Sequence, residues 1–420
     1  MTSSKRSAPI DNSSGSKIWK FAALAAWLIV LVVLAVRCGL HHHRTICFIN
    51  FRLAGEHWLK GEYLYGDPHG FVYSPLAALL FVPFASVPPG LGIVLWQTCN
   101  VLLLLAGVFA IARALFSTAV QKYVGACCLV LIPLMLGNLD IGHSNPLLIG
   151  CIMLGIAAAG RGQWNWAALW IALATHLKIY PLAIGLLLCV VAPRRFTPRL
   201  AIALLALALL PFAFQHWSYV EHQYRAWLAT RVADNRFAYP LEDAPLDLWF
   251  ILHWTAELPV SRALYTFLQL GTAVGIAAVC AWGRWNDWTR ERLLQGVFCL
   301  GCAWMMLFGP STESYTYALI APVTLLLAVQ AYKDRRPYWL QTIWAFATFL
   351  QIAAVARRSL IPGLRDLWIL TIQPDSALLI FGIFLVWLLR DKYWPTPDSA
   401  VEREASSAPE IAAGRETALS

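Results

Sequence analysis

The stretch NLDIGHSNPLLIG places Asn138, Asp140, His143, Ser144 and Asn145 between apolar runs at 124–136 and 146–159. A carboxylate, an imidazole, a hydroxyl and two amides could together bind hydroxyls and move a proton. The plain reading is a turn between helices, with Asn145 as N-cap and Pro146 at the first helical position. That cap leaves Asp140 and His143 unexplained, whereas the wall of a polar cavity accounts for every member. A second stretch, THLKIYPL, sets Lys178 and Tyr180 ahead of Pro181, which breaks or kinks a helix. Lys178 either snorkels from a helix end or presents a compact cation to a phosphate. A third, FGPSTESYTY, carries Glu313 and Tyr315 in a turn where Ser311–Ser314 caps a helix. Contact with sugar hydroxyls is the additional reading there.

The fourth polar region runs from His41 to Pro75. Its titratable groups are Glu56, His57, Asp67 and His69, and Cys47–Lys60 has the pattern of an amphipathic interfacial helix anchored by Phe48, Phe51, Trp58 and Leu59. Gly61 is its expected end. His41–His43 could hold a divalent metal with His57 or His69, but a solvated loop explains them as well, and no metal or other cofactor is expected. Cys299 and Cys302 form a CxxC inside an apolar run, where small core side chains are the simpler explanation.

These residues need a scaffold, and composition specifies its medium. Of 420 residues, 59% are hydrophobic and 13% charged, and mean hydropathy is +0.60; a soluble domain is roughly 25% charged. The apolar runs approach membrane-spanning length and lack the alternation of barrel strands. The reading is all-α: a polytopic membrane protein. The net charge of +9 does not imply nucleic acid. Its arginines and lysines cluster at 194–199, 284–292, 333–336 and 390–392, the pattern of cytoplasmic turns.

Thirteen apolar segments stand out, near 18–36, 74–88, 91–112, 119–136, 146–160, 164–176, 179–192, 200–214, 263–282, 294–309, 315–332, 339–356 and 375–390. Both termini read as cytoplasmic, so thirteen crossings break parity. Either 164–192 is one kinked helix through Lys178 and Pro181, or 74–88 only dips into the interface. The domain reading is a disordered cytoplasmic tail at 1–17, a transmembrane body at 18–393 and a disordered tail at 394–420. The first span reads as a retained anchor, because no small-residue cleavage site follows it.

Taken together, AGEHWLKGEYLY, FVYSPLAALLFVPFASVP, GHSNPLL, KIYPL and GPSTESYTY resemble the polyprenol-phosphate-mannose-dependent α-mannosyltransferases, glycosyltransferase family 87 of the GT-C superfamily. KIYPL matches the family's Lys-x-Tyr-Pro-Leu without change. GHSNPLL has His143 where the family has glutamine. The resemblance implies a GT-C-like bundle of about 12–13 transmembrane helices with an extracytoplasmic helix in loop one. It also implies transfer of a hexose, mannose in this family, from a polyprenyl-phosphate carrier to a glycan or glycolipid acceptor, outside the inner membrane of a bacterial cell. His143, Asn145, Lys178, Tyr180, Glu313 and Tyr315 are the expected substrate contacts. The family's general base is a loop-one aspartate, and the position aligned to it is Cys47, or Asn50 in a looser alignment. Glu56, Asp67 or Asp140 is then the expected base. Without one, the chain binds a lipid-linked sugar and transfers nothing. A flippase for such lipids is the competing class; it needs polar groups on both sides of the midplane and is disfavoured by the absence of an internal repeat.

Overall fold

The computed structural model describes residues 12–41, 45–67, 70–309, 312–360 and 370–394. Most of the two tails, and His42, His43, His69 and Ser311, lie outside that set. Among the described residues every regular element is a helix, as lipid requires of a backbone that must satisfy itself. In chain order these are α1 (Asn12–Leu40), α2 (Ile46–Lys60), α3 (Pro75–Ala85), α4 (Pro89–Leu115), α5 (Thr118–Gln121), α6 (Val124–Asp140), α7 (Asn145–Gly160) and α8 (Trp164–Leu177). There follow α9 (Leu182–Val191), α10 (Pro193–Leu209), α11 (Trp217–Ala233), α12 (Arg262–Trp285), α13 (Arg290–Phe308), α14 (Ala321–Lys333), α15 (Tyr338–Leu360) and α16 (Ile372–Leu389).

Seven helices are long and apolar enough to cross a bilayer alone: α1, α4, α10 with its short extension to Ala213, α12, α13, α15 and α16. The protein is a multi-pass membrane protein. Helix α13 is the hub, with 89% of its apolar window buried, while α10 and α12 bury 17% each and turn their greasy faces outward.

Cross-links between the turns sort the helices by end. At one end, Cys38 and Arg37 meet Asp140, Lys178 meets Asn145, and Gln373 donates to the Ser314 carbonyl. At the other, Arg284 donates to the Val190 carbonyl, Arg290 to Gly160, Gln295 to Leu115, and Arg292 pairs with Asp391. Helix α3 begins and ends at the first end: Ser74 donates to the His176 carbonyl, and Arg52 on α2 donates to Phe84 and Val87. Because both ends of α3 lie there, the stretch at 74–88 dips rather than crosses. Among the described residues, twelve helices run alternately between the ends, so α1 starts and α16 finishes at the same end.

The other way to restore parity is not the one realised: 164–192 is two helices, as the separate runs at 164–176 and 179–192 indicate, because Lys178 is extended (φ −148, ψ 137) and Pro181 opens α9. One expectation needs correction. Phe48, Phe51 and Trp58 do not anchor α2 in lipid. They are buried in the protein, Phe51 stacking on Phe81 of α3 at 4.3 Å, and only Leu59 of the four stays exposed. Gly61 does end α2, in the left-handed conformation with φ 70.

In lipid, helices associate through close packing more than through the hydrophobic effect, so small residues carry the interfaces. The α4–α7 contact is the clearest case. A Cβ at Gly150 would lie 2.5 Å from the Leu103 carbonyl oxygen, and one at Gly107 2.8 Å from that of Gly150. Gly150→Val should force α4 and α7 apart at a cost of about 1–3 kcal/mol, read as a lowered thermal midpoint in detergent. An unchanged midpoint would show that this contact is not limiting.

Candidate functional site

Helix α4 carries three polar side chains that fix the opening turn. Trp96 Nε1 donates to the Gly142 carbonyl at 2.9 Å and Gln97 Nε2 to the Leu139 carbonyl at 2.9 Å. Asn100 Oδ1 accepts from the Leu147 amide at 3.0 Å, satisfying one of the free donors at the start of α7. Gly142 adopts φ +72, and a Cβ there would lie 2.5 Å from Phe48. That closeness lets α2 dock: the amides of Cys47 and Phe48 donate to the Ile141 carbonyl at 3.1 and 3.4 Å. The first turn of α2, with Cys47, is thereby seated on the polar turn.

Asn145 is not a side-chain cap. Ser144 holds the N-cap position and makes no capping bond. The Asn145 amide instead joins three elements. Its Nδ2 donates to Asn138 Oδ1 and to the Tyr315 carbonyl, both at 3.0 Å, and its Oδ1 accepts from Lys178 Nζ at 2.9 Å. Asn138 Nδ2 donates to the same Tyr315 carbonyl at 3.1 Å. His143 Nδ1 accepts from the Asn145 amide at 3.3 Å, and its ring centroid lies 6.5 Å from that of Tyr315. Burial, then the Lys178 charge, pushes the His143 imidazole well below its ordinary range, so it is neutral and not the pH-dependent group its type suggests.

Lys178 lies at the break between α8 and α9, half-buried, with Nζ 5.9 Å from the Tyr73 ring centroid and 5.7 Å from that of Tyr180. Desolvation pushes its ammonium down to about 8, against the pull of Glu313 and Cys47. Glu313, exposed, opens the short 3-10 turn Ser314–Leu319 in a capping box with Thr316. The box holds the carboxylate in place and leaves acceptor capacity free. Glu313 lies within electrostatic reach of Cys47, Tyr73, Lys178 and Tyr180.

The other carboxylates lie apart. Glu56 pairs with Arg52 at 2.8 Å, and Asp140 with Arg37 at 3.2 Å. Asp67 is exposed, in the turn closed by the Gly70 amide. His143, Asn145, Lys178, Tyr180, Glu313 and Tyr315 come together, while Glu56, Asp67 and Asp140 do not join them. Sequence reasoning missed one member. Tyr73 forms the wall facing Lys178, and its tyrosine-rich surroundings gave no sign of that. Cys47 marks where the aligned aspartate would stand. Burial, with Glu313 adding to it, pushes its thiol up to about 11, so it cannot act as a thiolate base near neutral pH.

The family profile of glycosyltransferase family 87 matches residues 71–310. The chain belongs to glycosyltransferase family 87. No curated protein matches it significantly. The matched region holds the Asn138–Asn145 turn, Tyr73 and Lys178. It excludes α2 with Cys47 and, by three positions, Glu313. The matched part of this membrane-embedded glycosyltransferase runs from α3 to α13, and α2 and the turn after α13 lie beside it.

Asn145→Ala should leave the Tyr315 carbonyl, Asn138 Oδ1 and the Lys178 ammonium short of a partner. The expected loss is about 1–3 kcal/mol, measured as a lower thermal midpoint. Wild-type stability in that variant would mean water replaces the amide without cost.

Proposed function

We propose that the chain transfers a hexose, mannose by family resemblance, from a polyprenyl-phosphate carrier to a hydroxyl of a glycan or glycolipid acceptor. The reaction takes place on the extracytoplasmic face of a bacterial plasma membrane. In this reading the transferase unit is the transmembrane body at 18–393, and both termini are cytoplasmic. The observation that carries it is the meeting of Lys178, Asn145 and Glu313 at one end of the bundle. A compact cation in a desolvated, aromatic-walled position suits a phosphodiester at the membrane surface. The tyrosines around it belong at headgroup level.

Glu313 is the carboxylate best placed to act as base. As the acceptor oxygen attacks the anomeric carbon, Glu313 takes the hydroxyl proton. The bond from that carbon to the phosphate oxygen breaks, and polyprenyl phosphate leaves with the electron pair. Lys178 stabilises the charge that builds on it. The new glycosidic bond forms on the opposite face of the sugar, with inversion. Asn145 keeps Lys178 aimed, and neutral His143 with Tyr180 and Tyr315 lines the sugar side. The gathering of a carboxylate with the ammonium at this end alone favours this over a flippase.

Glu313→Gln should lower transfer of radiolabelled hexose by at least about 100-fold while donor binding persists. Adding Cys47→Asp to that variant should restore part of the rate, and Glu56→Gln should leave it near wild type. Full activity of Glu313→Gln would remove the proposed base, and donor binding without any turnover by wild type would favour a lipid-sugar binding protein.

Lys178→Ala should weaken donor binding by about 10–100-fold, the worth of one charge-assisted bond. Because the ammonium's range is lowered to about 8, the cation is present below that pH and lost above it. Donor affinity should be flat from pH 6 to 7.5 and then fall, by up to about tenfold per unit. A flat profile to pH 10 would reject Lys178 as the phosphate contact.

A further inference from the structure

At the end of the bundle opposite this cluster lies a second site. A cleft of about 350 Å³ opens between the α9–α10 turn, the start of α8 and the α12–α13 turn. Arg194, Arg195, Arg284 and Arg290 line it with Trp164 and Trp288, over a floor that includes Leu294. The positive-inside rule explains arginines at these turns but not their convergence. Two separate turns deliver four guanidinium groups to one hollow with no carboxylate in its lining. None of the four forms an ion pair among the described residues, while neighbouring Arg292 is neutralised by Asp391.

The cleft is built rather than incidental. Arg284 NH1 is tethered to the Val190 carbonyl at 3.3 Å and Arg290 NH1 to the Gly160 carbonyl at 3.3 Å. Each tether occupies one donor and leaves the others of the fork free. Trp288 is fixed as a wall: Arg292 stacks on it at 3.6 Å, and Gly283 lies so close that a Cβ would fall 2.3 Å from the ring. The cleft sits where α10 and α12, the two most lipid-exposed spans, reach the membrane surface. Ile202 and Leu205 on α10, and Leu270 and Val274 on α12, are each at least 60% exposed.

We propose that this cleft binds the phosphate headgroup of an anionic phospholipid, with the acyl chains lying on the exposed faces of α10 and α12. Arginine forks match phosphate oxygens, and the tryptophans pack the glycerol level. A free phosphate would use the guanidinium groups but not the apolar faces beside them, which favours the lipid.

The test uses the full-length protein in neutral detergent, titrated separately with dioleoylphosphatidylglycerol, dioleoylphosphatidylcholine and inorganic phosphate. Thermal midpoint and lipid retention in native mass spectrometry are the readouts. Phosphatidylglycerol should raise the midpoint saturably and be retained at least about fivefold over phosphatidylcholine; inorganic phosphate should do neither. R194Q/R195Q, which alters two exposed side chains, should lose most of that preference, and R284K/R290K should keep part of it. Equal retention of both lipids by wild type would overturn the proposal whatever the variants do. A midpoint shift with inorganic phosphate alone, or an undiminished preference in R194Q/R195Q, would overturn it too.

Discussion

The hydrogen bond from Lys178 to Asn145 holds the functional end together. An ammonium among aromatic rings in a lipid-embedded bundle is costly unless it has oriented partners. Asn145 supplies the neutral acceptor and ties it to the Tyr315 carbonyl and to Asn138. One amide thereby couples the α6–α7 turn, the α8–α9 break and the turn after α13. A neutral partner also leaves the positive charge uncompensated at short range, so it remains available to an anionic ligand. A carboxylate at position 145 would make a stronger pair and leave less net positive charge there.

That bond depends on others farther from the chemistry. Trp96, Gln97 and Asn100 satisfy backbone groups of the buried turn that would otherwise lack partners. Gly142 lets α2 approach closely enough to bring Cys47 to the cluster. Packing around Gly107 and Gly150 sets the α4–α7 distance on which this network relies. Close backbone approach, polar satisfaction and cation placement are successive consequences of one arrangement.

Much of this was legible in the sequence. Composition and run length specify helices in lipid, and Lys178 with Pro181 marks a break that α8 and α9 obey. The Asn138–Asn145 turn stood out because its polar groups have no business among apolar runs unless something uses them. The misreadings have physical causes. A proline after Asn145 looks like a cap, but tertiary partners outbid the local bond. The apolar stripe of α2 is the same whether it faces lipid or protein, and Phe51 faces protein. Glu56 and Asp140 were attractive as carboxylates near the right motifs, yet Arg52 and Arg37 occupy them, and pairing across 103 residues leaves no trace in local pattern. The arginine cleft is likewise a product of convergence between distant turns.

The exchange of an aspartate position for Cys47 bears on where the base must come from. Burial keeps that thiol protonated, so the first turn of α2 can contribute shape and a weak donor but no proton acceptor. Glu313 approaches the same ammonium from a different element, held by a cap whose geometry depends on Thr316 rather than on α2. A carboxylate on the turn after α13 follows a largely buried helix, whereas the first turn of α2 is placed by the Ile141 carbonyl and by the packing of Phe48 and Phe51. One carboxylate and one ammonium thus share this end of the bundle, carried by different elements.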